Sequence, residues 1–343
     1  MATVSETSTG LPTGVRETLR PAVLWLPWLP VGLCTLAFAA GLSLPPEWRY
    51  LPLAASVVLL GLPHGAVDWT ALPRAVTGRL DRRWILVVVA LYLVVGGAYA
   101  IAWFLVPVAS AVAFVGLTWF HWGQGELHPL VAVLGADHLD TRPRRALTVL
   151  VRGGLPMLVP LLAFPGRYRE VVAAFAAPFG GDLVWPVTPE LRLALGAGFA
   201  ALTLATLAVG YVGADDCRAW AIDAGEVGLL WAFFLTVPPV FAVGVYFAAW
   251  HALRHVARVA TLDDTAAAAL ARGRYGPAIG RFAREAALPT LGGLAVCGAL
   301  WVAAPTPAAT LEGVAAVYLV AIAVMTLPHG VVVTWLDRRA GYW

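Results

Sequence analysis

The chain contains no lysine, and all 23 of its basic residues are arginine. Without a side-chain amine it cannot hold an aldehyde as a lysine Schiff base, which rules out that form of covalent catalysis or chromophore attachment. Cysteine is nearly absent as well. Cys34, Cys217 and Cys297 are far apart and form no CxxC pair. They read as small buried apolar residues rather than as disulfides, zinc ligands or cluster ligands. Charge is sparse: 13% of residues are charged and the formal net charge is +3, too little for a nucleic-acid surface, so no nucleic-acid partner is expected. What the chain has in excess is hydrophobic residues, 60% of the total with a mean hydropathy of +0.78, the composition of a polytopic membrane protein.

A helix needs about 20 apolar residues to cross a bilayer. On that ruler the sequence predicts an all-α integral membrane bundle of about ten transmembrane helices, over 22–43, 50–69, 84–105, 108–127, 146–164, 192–213, 224–237, 239–257, 286–304 and 311–335. Residues 1–21 read as an N-terminal cytoplasmic tail and 22–343 as a single transmembrane domain. The first apolar run exceeds a signal-peptide core and is expected to be retained. Pro238-Pro239 splits one long apolar stretch into two helices joined by a tight turn, a single kinked helix being the alternative.

Arginine placement orients the chain, because cytoplasmic loops collect positive residues. With the N-terminus inside, the inner loops carry Arg74, Arg79, Arg82 and Arg83, then Arg142, Arg144 and Arg145, then Arg258, Arg272, Arg274, Arg281 and Arg284, and last Arg338 and Arg339. The outer connections at 106–107, 238–239 and 305–310 carry none. This places a multi-pass protein in the cell membrane with both termini cytoplasmic. Two loops fit the rule poorly, 165–191 with Arg167 and Arg169 outside, and 214–223 with only Arg218 among several acids inside. The apolar stretch Val171 to Phe179 is expected at the interface or partway into the membrane. The loop 261–285 is expected to form an interfacial helix broken at Gly276-Pro277.

Five of the seven histidines fall at one depth in this topology. His64 lies in GLPHGAVDW, His121 in TWFHWGQGE, His251 and His255 in WHALRH, and His329 in TLPHG, each near the inner end of spans two, four, eight and ten. An imidazole inside a membrane helix is costly without compensation, so five at one level point to a shared metal or haem. His251 and His255, four residues apart, share a helix face. His128 and His138 flank the arginine-rich loop and read as ordinary surface residues. LPHG occurs twice, at 62–65 and 327–330, as a Pro-kinked turn or an internal repeat.

Imidazole suits zinc, copper, iron and nickel. No cysteine is near, and HALRH lacks the glutamate of HExxH, so a zinc peptidase is not expected. Iron(II) with neutral histidines suits oxidative chemistry on an apolar substrate. Asp68 and Glu126 are candidates to accept the outward N–H of a ligand ring, or are polar residues marking helix ends. Trp69, Trp119, Phe120, Trp122, Phe233, Phe234, Phe241, Tyr246, Phe247 and Trp250 crowd the same region. Most read as packing or lipid-facing groups, some as walls of an apolar tunnel. A b-type haem electron carrier and a transporter with intramembrane histidines are the rival readings; di-iron desaturases have denser histidine boxes.

GLPHGAVDW, FHWGQGE, WHALRH and the late LPHG, in this order from about residue 50 to the end, resemble the membrane-bound β-carotene 15,15′-dioxygenases, the bacterioopsin-related-protein family of bacteria and archaea. PHGxxD and FHWG are not general membrane patterns. The resemblance implies a catalytic transmembrane domain that cleaves β-carotene at its central double bond with O₂ to give two retinal molecules. It implies Fe(II) held by His64, His121, His251 and His255. For His329 it leaves open a fifth ligand or a residue behind the ligands. Membrane lipid surrounds such a protein, and an opsin is the implied acceptor of retinal. This chain, lacking lysine, cannot itself be that opsin.

Overall fold

The structure, a computed structural model, describes residues 10–184, 187–306 and 309–343. The first nine residues of the expected tail, Trp185-Pro186 in the 165–191 loop and Pro307-Ala308 in the 305–310 connection lie outside the described residues. The described residues contain no strand. Twelve helices follow one another: α1 (Thr13–Ala39), α2 (Pro46–Thr77, broken within), α3 (Arg82–Leu105), α4 (Pro107–Gly125), α5 (Arg142–Ala163), α6 (Pro165–Ala176), α7 (Pro189–Val212), α8 (Cys217–Thr236), α9 (Pro239–Ala260), α10 (Asp264–Leu270), α11 (Tyr275–Ala303) and α12 (Leu311–Arg339). Nine are long and apolar enough to cross a membrane. The expected span 108–127 is present as helix α4 but is not among the nine, because its end, His-Trp-Gly-Gln-Gly, carries site residues in place of apolar ones.

Ends are set by local chemistry. Asp81 caps α3 by accepting from the N–H groups of Arg83 and Trp84 at 2.9 and 3.4 Å, and Asp216, Asp263 and Thr310 cap α8, α10 and α12. Prolines open α4, α6, α7 and α9, where a missing N–H costs nothing. Val237 and Pro238 take extended backbone between α8 and α9, so Pro238-Pro239 is the tight turn between two helices.

Several helices outrun their apolar stretches. α1 begins at Thr13, inside the expected tail. α8 begins at Cys217 rather than 224, and α11 at Tyr275 rather than 286. Gly276-Pro277 is therefore not a break, since Pro277 sits in the first turn of α11, where proline is tolerated, and the chain turns instead at Ala271–Arg274 with Gly273 at φ +70°. Within α8, Asp223 and Glu226 are buried and paired, so charge does not end the helix as a hydropathy ruler assumes.

Burial separates an inner from an outer layer: 67% of the apolar windows of α5 and α12 is buried in the protein, against 17–22% for α1, α3, α7 and α11. α12 packs against α2, α3, α4, α6 and α11, and α5 lies along α4, α7 and α8. A Cβ at Gly153 of α5 would run into the carbonyl oxygen of Trp119 on α4, so this glycine permits the close crossing. We expect Gly153→Leu to force α4 and α5 apart and sharply lower the yield of folded protein, which thermal unfolding in detergent would register.

The start of α1 and the C-terminal residues close on the segment 126–145. Arg16 donates to Val133 O at 3.0 Å, and Arg145 donates to Gly341 O at 2.9 Å and Tyr342 O at 3.0 Å. The start of α1 and the C-terminal residues thus lie on one face of the bundle. At this face Arg74 and Arg258, counted among the loop arginines, are buried and paired: Arg74 with Glu285 (2.7 Å) and Asp263 (2.9 Å), Arg258 with Asp337 (2.6 Å). Here the N–H groups of Asp216 and Asp215 donate to the Asp137 carboxylate at 2.9 and 3.1 Å, and the Asp216 bond in particular holds it below the usual range.

Candidate metal centre

Four helices deliver five imidazoles to one place. His64 comes from α2, His121 from α4, His251 and His255 from α9, and His329 from α12, all between 2% and 6% exposed. Ring centroids are 4.8 Å apart for His121–His251 and His121–His329, 4.9 Å for His255–His329, 5.0 Å for His64–His329, 5.4 Å for His64–His251 and 5.5 Å for His64–His255.

The backbone around each ring is irregular for a reason. α2 breaks at Leu59-Leu60 and again at Ala66-Val67, leaving the short turn Gly61–Gly65. There the His64 Nδ1–H donates to Gly61 O, so Nε2 carries the lone pair. His251 sits in a π-helical turn, Tyr246–Ala252, that continues into the regular turn bearing His255. Such widened turns recur at functional sites. On α4, a Cβ at Gly125 would lie 2.9 Å from His251 Cε1. Only glycine lets that ring reach the cluster. Gly125→Ala is expected to leave the fold intact and to displace the ring by a few tenths of an ångström, with roughly a tenfold loss of turnover by comparison of initial rates in detergent.

The donor set suits a metal ion. His121 Nε2 and His251 Nε2 are 3.1 Å apart. Two imidazole nitrogens bound at about 2.1 Å to one ion, at right angles, are separated by about 3 Å. His255 Nε2 and His329 Nε2 are buried without a partner among the described residues, a costly condition for polar atoms unless something binds them. Ligand atoms of His64, His121 and His329 lie within 4.8 Å of one another, as do those of Asp68, His255 and His329.

The two carboxylates expected behind the ligands part company. Asp68 Oδ2 lies 2.8 Å from His329 Nδ1 and accepts from Tyr92 OH at 2.7 Å. Glu126 instead joins a buried ion network. It accepts from Trp250 Nε1 at 3.1 Å and pairs with Arg152 and Arg254, each at 2.7 Å. Arg152 also binds Glu226 (2.7 Å) and Asp223, and Arg254 binds Glu226 while its guanidinium lies 4.2 Å from the Trp250 ring centre. Trp28 Nε1 donates to Glu226 at 2.7 Å. His138 is 1% exposed and lies 3.0 Å from Asp223, and His128 is 6% exposed beside Tyr342, so neither is a surface residue. Flanking a charged loop suggests the surface, but the bundle folds over that loop.

Arg152, Asp223, Glu226 and Arg254 were missed by the reading of the sequence. Their signal was there: three of them stand inside the expected spans 146–164, 224–237 and 239–257, where an unpaired charge is expensive. Trp250 and Arg254 occupy the side of α9 next to that of His251 and His255, so the network anchors the helix that carries two of the rings.

Two apolar cavities flank the cluster. The first, about 100 Å³, is lined by His64, His121, Trp122 and Phe247 and runs toward Tyr168 and Pro239. The second, about 620 Å³, is lined by His64, His329, Trp69 and Phe247 and runs between α3 and α11 past Tyr92, Gly96 and Gly293. His64, Phe247, Ile322 and Thr326 line both. A third depression shares Leu53, Val171 and Pro239 with the first and opens among Arg49, Arg167, Glu170 and Glu312. The segment Val171 to Phe179 is thus part of α6 and its extension, and packs inward. Of the aromatic candidates, Trp69, Trp122 and Phe247 line cavities at the cluster. Tyr246, Trp250, Phe233 and Phe234 are core with no exposure, Phe241 packs against that core, Trp119 donates to Leu150 O at 2.8 Å, and Phe120 is 43% exposed.

The family Beta-carotene 15,15′-dioxygenase matches residues 55–337. The chain is 55% identical over 335 residues to the probable beta-carotene 15,15′-dioxygenase Blh of Halobacterium salinarum, covering 97% of each chain. It is 33% identical over 324 residues to the probable beta-carotene 15,15′-dioxygenase Brp of the same species, covering 90% of this chain and 89% of that one. No solved structure matches the chain significantly. With all of its histidine motifs inside the matched region, the chain belongs to the β-carotene 15,15′-dioxygenase family.

Proposed function

We propose that this protein cleaves β-carotene at the central 15,15′ double bond with O₂, giving two molecules of retinal, at an Fe(II) held by His64, His121, His251 and His255. The observation that carries the reading is the placement of five buried imidazoles at the junction of two apolar cavities. The reaction balances: the C15=C15′ bond breaks, and each carbon takes one of the two oxygen atoms as an aldehyde. Bound iron(II) supplies the one-electron chemistry that dioxygen needs to attack a closed-shell polyene.

The residues of the chain do the rest. The two cavities receive the two halves of an elongated hydrocarbon, so that its middle rests against the wall the cavities share, where His64 and Phe247 stand. Position along the tunnel then selects the bond. Phe247, its ring 5.4 Å from that of His64, and Trp122, 6.2 Å from Phe247, offer π faces to charge developing on the polyene. The apolar walls exclude water. The spacing favours a single ion over a haem, because rings 4.8–5.5 Å apart leave no gap for a macrocycle.

Carotene enters sideways from lipid between α3 and α11, where the larger cavity approaches the outer helix layer, and retinal leaves to an opsin partner or the bilayer. The protein is a multi-pass protein of the cell membrane with both termini cytoplasmic, the side on which the start of α1 and the C-terminal residues meet the segment 126–145 and its arginines. The test is expression in β-carotene-accumulating cells with iron supplied, followed by chromatography of the pigments. Bleaching with retinal as the sole aldehyde is the expected result. Unchanged pigment would remove the enzymatic reading, and transport of a solute by metal-free protein in vesicles would replace it. Gly293→Leu, which fills the larger cavity at a glycine whose Cβ would lie 3.2 Å from Leu62 and Met325, is expected to slow cleavage at least tenfold while iron content is unchanged.

A further inference from the structure

We propose that His329 is a fifth ligand of the metal, and that Asp68 and Tyr92 are the residues that position it; the inference rests on the metal-centred reading above. Three observations lead there.

The first is the tautomer. His329 Nδ1 lies 2.8 Å from Asp68 Oδ2, and an ionised carboxylate only accepts, so Nδ1 carries the hydrogen and Nε2 the lone pair. That lone pair is buried, in a residue 3% exposed, and has no hydrogen-bond partner among the described residues.

The second is what surrounds it. The rings of His64, His121 and His255 stand 5.0, 4.8 and 4.9 Å from the His329 ring. His329 is the residue common to both groups of convergent ligand atoms, one with His64 and His121 and one with Asp68 and His255. A histidine that merely supported another ligand would donate to, or accept from, that ligand's ring. The sole N–H of His329 is committed to Asp68, and no N–H reaches its Nε2. Metal ligation is the role its remaining lone pair can fill.

The third is that Asp68 is itself held. Tyr92 OH donates to the same Oδ2 at 2.7 Å, and Tyr92 opens a π-helical turn, Tyr92–Gly96, in α3. A chain of hydrogen bonds from α3 through α2 to α12 thereby sets the tilt of the ring. A carboxylate behind a ligating imidazole raises the basicity of the ligand and fixes its tautomer. It also places a negative charge beside a cluster of neutral rings that would hold a cation. The two LPHG segments, one a short turn in the broken α2 and the other inside the uninterrupted helix α12, therefore do the same work: in each, the ring's Nδ1–H is turned away to an oxygen, Gly61 O for His64 and Asp68 Oδ2 for His329, and Nε2 is turned to the centre.

The experiment uses full-length protein purified in detergent without oxygen and titrated with Fe(II), and in parallel with Co(II), whose ligand-field absorption reports the coordination sphere. Wild type, His329→Gly, Asp68→Asn and Tyr92→Phe are compared. His329→Gly is expected to bind metal at least tenfold more weakly with an altered Co(II) spectrum, both restored by millimolar imidazole, which occupies the space of the lost ring. A residue with a merely structural role would show no such rescue. Asp68→Asn, which keeps an acceptor but loses the charge, is expected to weaken binding about 10–100-fold, and it tests the same point should the glycine variant not fold. Tyr92→Phe is expected to weaken binding less than Asp68→Asn. Wild-type affinity and an unchanged Co(II) spectrum in His329→Gly, beside a wild type that binds metal, would overturn the proposal alone. Unchanged affinity in Asp68→Asn would overturn the positioning role. A wild type that took up no metal would overturn the metal-centred reading and this proposal with it.

Discussion

Cells that accumulate β-carotene are expected to lose their colour when they express this protein, and to keep it when His64 or His255 is replaced by alanine. The effect is large because these side chains sit where nothing can substitute for them. Both rings are buried, His64 in the wall the two cavities share and His255 against the rings of His64 and His329 with the Asp68 carboxylate nearby. Removing a ring leaves a gap among the remaining nitrogens, and the nearest carboxylate, Asp68, is already committed to His329 and Tyr92. A fall of about 100-fold or more in the rate of retinal formation is expected, the scale on which misplacing reacting groups is felt. The measurement is retinal per cell by chromatography, normalised to protein detected in the membrane fraction. Equal bleaching by either variant at equal expression would show that the ring is not part of the reacting centre. The two positions test different helices, so a loss at His64 without one at His255 would narrow the centre to the rings around α2 and α4.

The second large effect is on stability. Arg152→Ala is expected to destabilise the protein by roughly 3–5 kcal/mol, the scale for removing one partner of a buried ion pair. Arg152 is fully buried and serves three carboxylates, Glu126 and Glu226 at 2.7 Å and Asp223. Without it Arg254 alone faces Glu126 and Glu226, and His138 alone faces Asp223. Lysine is not a substitute, because a single ammonium cannot span three acceptors as a planar guanidinium does. A drop in midpoint of thermal unfolding on the order of 10 °C is the expected reading in detergent. A midpoint within a degree or two of wild type would mean that the network contributes little. The same network braces α9 against α1, α4, α5 and α8. Partial loss of folded protein should therefore come with loss of metal in the remainder, since His251 and His255 ride on α9.

How far the sequence could be read depended on how local each signal was. Nine crossing helices were legible because a bilayer-length apolar run is a local property. The turn at Pro238-Pro239 was legible because two prolines cannot continue a helix. The helix ends were less so: α8 and α11 continue through charged turns whose charges are paired by residues far along the chain, Asp223 by Arg152 and Glu285 by Arg74. A hydropathy ruler counts those charges as solvated. For the same reason His128 and His138 were misjudged, and the arginines Arg74 and Arg258, taken as loop markers, are found buried in pairs.

Within the site, sequence alone singled out the five histidines. They are rare polar residues at one depth in an apolar chain, and rarity and depth need no partner to be seen. Which carboxylate stands behind which ring was decided by packing. Asp68 and Glu126 looked alike as acids a turn beyond a histidine, yet Asp68 meets His329, 261 positions away, while Glu126 meets Arg152 and Arg254. Only the crossing of α2 with α12, and of α4 with α5 and α9, brings those groups within hydrogen-bond reach. The cavities on either side of the rings belong to the same category. Their walls come from eight helices, and empty space between helices leaves no periodicity in any one of them.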